Sequence, residues 1–324
     1  MSTPNVENYM LGRGMLFWAP WNAESATYGG ERALGNATAL TLNIGATKLD
    51  HFSSMSGIKA KDLSVISELN PTLKFTLDEF EEENWKLLIY GEKAEVTQSA
   101  GNDGSVSIAS PELGRYYDLG KRNISTKQIP IGSVTGGPFQ AGETITGSTS
   151  SATAKVLKVN AGSLVVGNIT GTFAATETIT GSTSSATATS SATATAVPGL
   201  VVVSKNTTFY SSGTDYTVDA ASGRICFPAG STVSGTVVVA FGYASATYTV
   251  IRALKSLNQV GQIRFKSDNP EGGQYEFTAH KVMLAPDADT ALIGDAWATM
   301  GFTGEILRDL QYHPDSPYLD LIIA

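Results

Sequence analysis

The apolar residues of this chain come in short runs closed by Gly, Ser, Asn, Asp or Pro, and many alternate with polar neighbours. Leu40, Leu42 and Ile44 alternate with Thr41 and Asn43, and Leu73, Phe75 and Leu77 alternate with Thr72, Lys74 and Thr76. A strand sends successive side chains to opposite faces, so such segments read as strands with one buried face. One stretch breaks the rule. In DEFEEENWKLLIYG, residues 78–91, Phe80, Leu87 and Leu88 share a helical face, and Glu79, Glu81 and Glu82 lie where a helix dipole favours anions. Asp78 is the expected N-cap and Gly91 the expected C-terminal glycine. At 324 residues, 42% hydrophobic and 16% charged, the chain can bury a large core. The expected fold is mainly β, a β-sandwich or partly open barrel with one packed α-helix.

The dodecapeptide ETITGSTSSATA stands at 143–154 and again at 177–188. Phe139 and Phe173, Glu143 and Glu177, Ile145 and Ile179, and Gly147 and Gly181 share the offset of 34 residues. Composition shifts with the repeat: of the 66 residues from Ser133 to Pro198, 25 are Ser or Thr, and the only charges are Glu143, Lys155, Lys158 and Glu177. A unit used twice closes on its own copy where one alone leaves a face bare. The expected organisation is therefore a discontinuous core, 1–130 and 199–324, with an inserted Ser/Thr-rich β-repeat domain at 131–198. Past Pro198, DYTVDAASGRICF reads as two short strands around an AASG turn. Upstream, LDHFSSMSGIKAKDLS (49–64) reads as a long polar hairpin loop, after which the apolar pattern returns in VISEL.

The net charge of −8 argues against a sequence-specific duplex reader, which needs clustered Lys and Arg. An acidic wall instead repels DNA and lets it pass without sticking. The single Cys226 cannot build a disulfide framework and reads as a small buried hydrophobe. No apolar run is long enough to span a bilayer, and the start, MSTPNVENYMLGRG, lacks the pattern of a signal peptide, so synthesis in the cytoplasm without a membrane role is expected. His51, His280 and His313 are isolated in sequence, Asp287 and Asp289 read as a solvated turn, and no nucleophile or phosphate-loop motif occurs. The expectation is a protein that is not an enzyme, with no catalytic, cofactor-binding or metal residues.

The segment DNPEGGQYEFTAHKVMLAPDADTALIGDAWATMGFTGEIL resembles the closing segment of the major tail proteins, or tail tube proteins, of long-tailed, non-contractile bacteriophages. Upstream, GRGMLFWAP, LGNATALTLNI, the 49–64 excursion and the acidic helix come in the order of that family. The resemblance covers about 1–130 and 199–324. It implies a structural subunit of a phage tail tube, forming hexameric rings stacked into a conduit for DNA ejection, localised to the virion tail and made in the host bacterial cytoplasm. Implied partners are further copies of the chain and other tail proteins such as the tape measure and tail terminator, with DNA passing through the lumen without specific binding. The repeat at 131–198 is similar to decoration modules carried outside such tubes. Under this resemblance the projecting loop is the expected inter-ring contact, offering Asp50, His51, Lys59, Lys61 and Asp62 as charges of both signs and Phe52, Met55 and Ile58 as apolar anchors. The alternative is a cell-surface or carbohydrate-binding β protein of a phage particle, with the insert touching a host-surface glycan.

Overall fold

A computed structural model describes residues 9–55, 57–287 and 289–323. Most of the start read for a signal peptide, Ser56 of the predicted loop, and Ala288 between Asp287 and Asp289 lie outside the described residues. The protein is mainly β and divides into two compact units, Met1–Ala94 with Thr249–Ala324, and Glu95–Tyr248. The first unit begins with β1 (Gly14–Asn22), β2 (Ala37–Ser53), β3 (Ala60–Leu77) and α1 (Glu82–Leu88), the one helix among the described residues. The second unit includes β4 (Ser125–Pro130), β5 (Thr144–Gly147), β6 (Thr153–Asn160), β7 (Ser163–Thr170), β8 (Thr178–Gly181), β9 (Thr187–Thr189) and β10 (Thr195–Pro198). The first unit resumes with β11 (Val260–Ser267), β12 (Tyr275–Pro286), β13 (Met300–Ile306) and β14 (Leu319–Ile323).

In the first unit the antiparallel order is β1-β11-β12-β13-β3-β2, and β14 pairs with the first residues of β12. The period-two reading holds near the helix. Leu73, Phe75 and Leu77 point into a core shared with Leu16, Trp18, Ile263, Phe302 and the helix residues Leu87 and Leu88. Phe75 and Phe302 stack across neighbouring strands with ring centroids 5.1 Å apart. Each such buried ring contributes about 1.5–3 kcal/mol through area removed from water. On β12 the buried phase flips from Phe277 and Ala279 to Val282 and Leu284, because Gly261 pairs with Val282 while Ile263 pairs with Ala279. His280 and Lys281 thus form a bulge, a device that re-aims side chains, and His280 turns inward to 4% exposure.

The helix is shorter than 78–91. Asp78 is not its N-cap, since its carboxylate accepts two bonds from Asn36 Nδ2 at 2.8 Å, and the helix starts after Glu81 with no side-chain cap. At the other end the left-handed residue is Tyr90 (φ 50°), not Gly91. Gly91 N bonds Lys86 O at 2.7 Å and Tyr90 N bonds Leu87 O at 3.5 Å, the paired closure of a Schellman motif. Gly91 serves packing instead, because a Cβ there would collide with the Ile251 side chain. Buried Asn84, unforeseen in the sequence, ties the helix down by donating to Leu34 O and Glu79 O and accepting from Arg32.

In the second unit the repeat forms a seven-stranded antiparallel sheet, β9-β8-β5-β6-β7-β4-β10. Its centre is a local twofold: Thr146 pairs with Thr180, Ile145 with Gly181 and Gly147 with Ile179. The two copies exchange acids across this axis. Glu177 accepts from Thr149 N, Ser150 N and Ser150 Oγ in the other copy and from Ala174 N in its own. Glu143 does the same with Thr183 N, Ser184 N, Ser184 Oγ and Gln140 N. Both carboxylates are buried, at 5% and 4% exposure for Glu143 and Glu177. Burial raises their pKa, but the hydrogen bonds outweigh it and hold both below the usual carboxylate range. Gly147 and Gly181 admit these groups, since a Cβ at either would lie within 2.6 Å of the incoming carboxylate.

The compact unit is wider than the insert expected at 131–198. β4 carries the repeat sheet past the first boundary, and β10, the last strand of the expected insert, pairs with it. Residues between Val201 and Tyr243 also build a separate core with Ile108, Leu119 and Ile124, centred on Val203, Ile225, Phe227, Val239 and Phe241. The division therefore falls at 94/95 and 248/249 rather than beside the repeat. The AASG turn joins Thr217–Asp219 to Arg224–Phe227 as read, and Cys226 is a buried free thiol.

Candidate assembly surface

From residue 60 to 71, β3 has β2 as its only strand neighbour among the described residues, because its pairing with β13 runs only from Leu77 to Thr72. The pair continues as a two-stranded ribbon of residues 44–53 and 60–70, joined by a turn whose described residues are 54, 55 and 57–59. This corrects the sequence reading: the 49–64 excursion is mostly strand. A two-stranded hairpin is marginal on its own in water, and this one is exposed on both sides.

Register assigns the side chains to faces. On one face near the base, Ile44 opposes Pro71, Ala46 opposes Leu69 and Lys48 opposes Ile66. On the other face, nearer the tip, Leu49 opposes Val65 and His51 opposes Leu63. Ser67 is an extra residue between the pairs Thr47–Glu68 and Lys48–Ile66, and its Oγ donates to Thr47 O at 3.1 Å. Apolar surface therefore changes sides along the ribbon. Ile44 is 61% exposed, Leu49 66% and Leu63 58%. At the base, Leu40 and Leu42 with Tyr275, Phe277, Leu319 and Leu321 line an apolar groove of about 600 Å³.

The residues expected as the inter-ring contact divide between strand and turn. Asp50, His51 and Phe52 lie on β2, Lys61 and Asp62 on β3, and Met55, Ile58 and Lys59 in the turn. Four of the five expected charges are committed inside the hairpin. Lys61 Nζ lies 2.7 Å from Asp50 Oδ2, and His51 Nδ1 lies 2.6 Å from Asp62 Oδ1. The Lys61 bond, helped by Ser64 Oγ, holds the Asp50 carboxyl below its usual range. These pairs brace the ribbon, and the large exposed surface is apolar: Met55, Ile58 and Phe52, together with Ile44, Leu49, Leu63, Val65, Ile66 and Leu69. None of those last six was read from the sequence as a contact residue, and Ile44 was read as part of a buried face. The available signal was Val65-Ile66, adjacent apolar residues that serve both faces of a strand at once.

Charge is divided as unevenly as apolar exposure. The first unit holds 22 acidic and 14 basic residues and so the whole −8, while the second holds eight of each. The helix acids are largely neutralised, Glu82 by Lys93 at 2.7 Å and Glu83 by Lys86 at 3.4 Å. No helix among the described residues is long and apolar enough to cross a membrane.

Compared with models of protein families, the chain matches one over residues 9–141 and 131–318, a family described as protein of unknown function UCP028589. The two matched segments meet inside the repeat. A search of the curated proteins finds no match.

Proposed function

We propose that this chain, which belongs to the family so described, is a self-assembling structural subunit, the tube protein of a phage tail whose rings stack head to tail around a DNA path. The observation that carries the reading is the ribbon of β2 and β3, apolar on opposite faces at base and tip and uncovered by its own chain. Exposed contiguous apolar surface of this extent marks an interaction site. A ribbon with two apolar faces suits contact with two neighbours, which heterologous, head-to-tail assembly supplies. The concentration of negative charge in the first unit supports a lumen that repels DNA. In this reading the second unit, built around its own cores, is the decoration.

The test is negative-stain electron microscopy with light scattering on the purified protein. Rings or hollow tubes are expected for the wild type. Replacing Leu49, Leu63 and Val65 with Ser is expected to leave a folded protein that no longer assembles, since exposed positions change stability by only about 0.5 kcal/mol each. A wild type that stays monomeric at high concentration and with tail-assembly partners present would overturn the reading.

A further inference from the structure

The sequence presents His280 and His313 as isolated, yet the structure stacks their rings face to face, with centroids 3.7 Å apart and planes inclined by 11°. His280 sits in the β12 bulge. His313 belongs to the turn at 309–313, and its Nδ1 lies 3.0 Å from Asp309 Oδ2. Asp309 is itself buried, at 4% exposure. Across the stack, Asp320 Oδ2 on β14 stands 3.3 Å from His280 Nε2, an ion-pair distance that does not make a well-formed hydrogen bond, and His280 Nδ1 has no hydrogen-bond partner among the described residues. Backbone bonds close the turn over the pair: Leu307 N to Lys281 O, His280 N to Tyr318 O and Asp309 N to Pro317 O. The stack thus lies under the segment that delivers β14 to the edge of β12 at residues 275–279.

We propose that the His280–His313 stack is an acid-sensitive latch that keeps residues 307–323 closed over β12 at neutral pH and releases them when the pair must accept a second proton. A single positive charge on the stack would have a carboxylate beside it, since Asp309 Oδ2 lies 3.0 Å from His313 Nδ1. A second would place two positive rings in van der Waals contact inside the unit, with the His280 ring buried and only Asp320 near it. The charged and titratable groups around His280 are His313 and Asp309 from the turn and Asp320 from β14. Tyr28 lies beyond Asp309, its own pKa pushed up to about 12 by burial and by Asp309. Burial first, and His313 second, lower the His280 pKa below its ordinary 6.5, against the opposing pull of Asp320 and Asp309. A histidine with a depressed pKa in the folded state binds its proton more readily when released. The closed form is therefore fully stable above pH 6.5 and loses stability as pH falls through that value. Opening would uncover the backbone edge of β12 at 275–279, so acidity governs access to a strand edge.

Hydrogen exchange of the full chain at pH 7.5 and 5.5, corrected for intrinsic rates, tests the latch. Amides of 319–323, with those of His280, Leu307 and Asp309, are expected to lose protection at the lower pH by up to about tenfold, the ceiling set by working one pH unit below the ordinary histidine value of 6.5. Amides of β13 paired with β3 are expected to keep theirs. His313→Phe, at the more exposed position, retains a stacked ring that cannot charge and is expected to abolish the pH dependence, as is His280→Phe if it folds. Equal protection of 319–323 at both pH values, pH dependence that survives in His313→Phe, or loss of protection spread evenly over the first unit would each overturn the proposal.

Discussion

Glu143 and Glu177 are two of the four charges in the Ser/Thr-rich stretch, and each is spent on closing the other copy's turn. Replacing either by Ala leaves buried amide donors without an acceptor, a loss of about 1–3 kcal/mol for each orphaned group. Glu143→Ala and Glu177→Ala are expected to destabilise the second unit by at least about 2 kcal/mol, and by similar amounts, since their surroundings superpose. Urea unfolding followed in the second unit checks both. Their lowered pKa values also set a pH dependence. The stabilisation is full above the ordinary carboxylate value of 4.5 and fades as pH falls through the depressed values, which unfolding midpoints measured from pH 6 to pH 3 would read. The dodecapeptide announced a duplication, and the Glu and Gly positions were aligned from sequence. That each acid serves the other copy was not legible, because the offset of 34 is the same for an exchanged and an unexchanged pair.

Strand and helix existence was legible from periodicity, but element ends were not. The acidic run predicted an earlier helix start, yet Asn36 holds Asp78 and Asn36 N bonds Glu79 Oε2, so tertiary contacts outcompete the cap. The glycine rule for helix ends put the left-handed residue one position late. Gly91→Ala is expected to cost more than the ~1 kcal/mol of an ordinary glycine change, through collision with Ile251, whereas Tyr90→Gly is expected to be neutral or stabilising by relieving a positive φ. Thermal melts of both variants, with opposite signs, check the assignment. The ribbon exposes a limit of alternation as evidence. Leu73, Phe75 and Leu77 alternate and are buried, while Leu40, Leu42 and Ile44 alternate just as cleanly and are half-buried to exposed, because no second layer covers that end of β2. Periodicity says that a face is apolar and leaves open what covers it.

At the scale of the whole molecule, the mainly β class followed from run length and turn residues, and the unit boundaries did not. Composition marks where the Ser/Thr-rich stretch begins, but β4, which precedes it with ordinary composition, belongs to its sheet. Ile129 is fully buried in the repeat core, so cutting at 131–198 strips that side chain of its packing. Deletion of 133–198 is accordingly expected to destabilise what remains of 95–248, whereas deletion of 95–248 joins the remaining ends, 92–94 and 249–252, of two strands that pair in the full chain, and is expected to leave the first unit folded. Circular dichroism and light scattering on the two deletion variants distinguish these outcomes.

The exchange between the two ETITGSTSSATA copies carries a rule of parity. Each copy owns a clasp and an eye, and each clasp closes the other copy's eye, so the two copies complete one another as a pair. A third tandem copy would leave one acid and one turn seeking each other in a different molecule. Lengthening such a module by a single unit would convert a closed ornament into a sticky end, and a tandem duplication that stays self-contained must add its units two at a time.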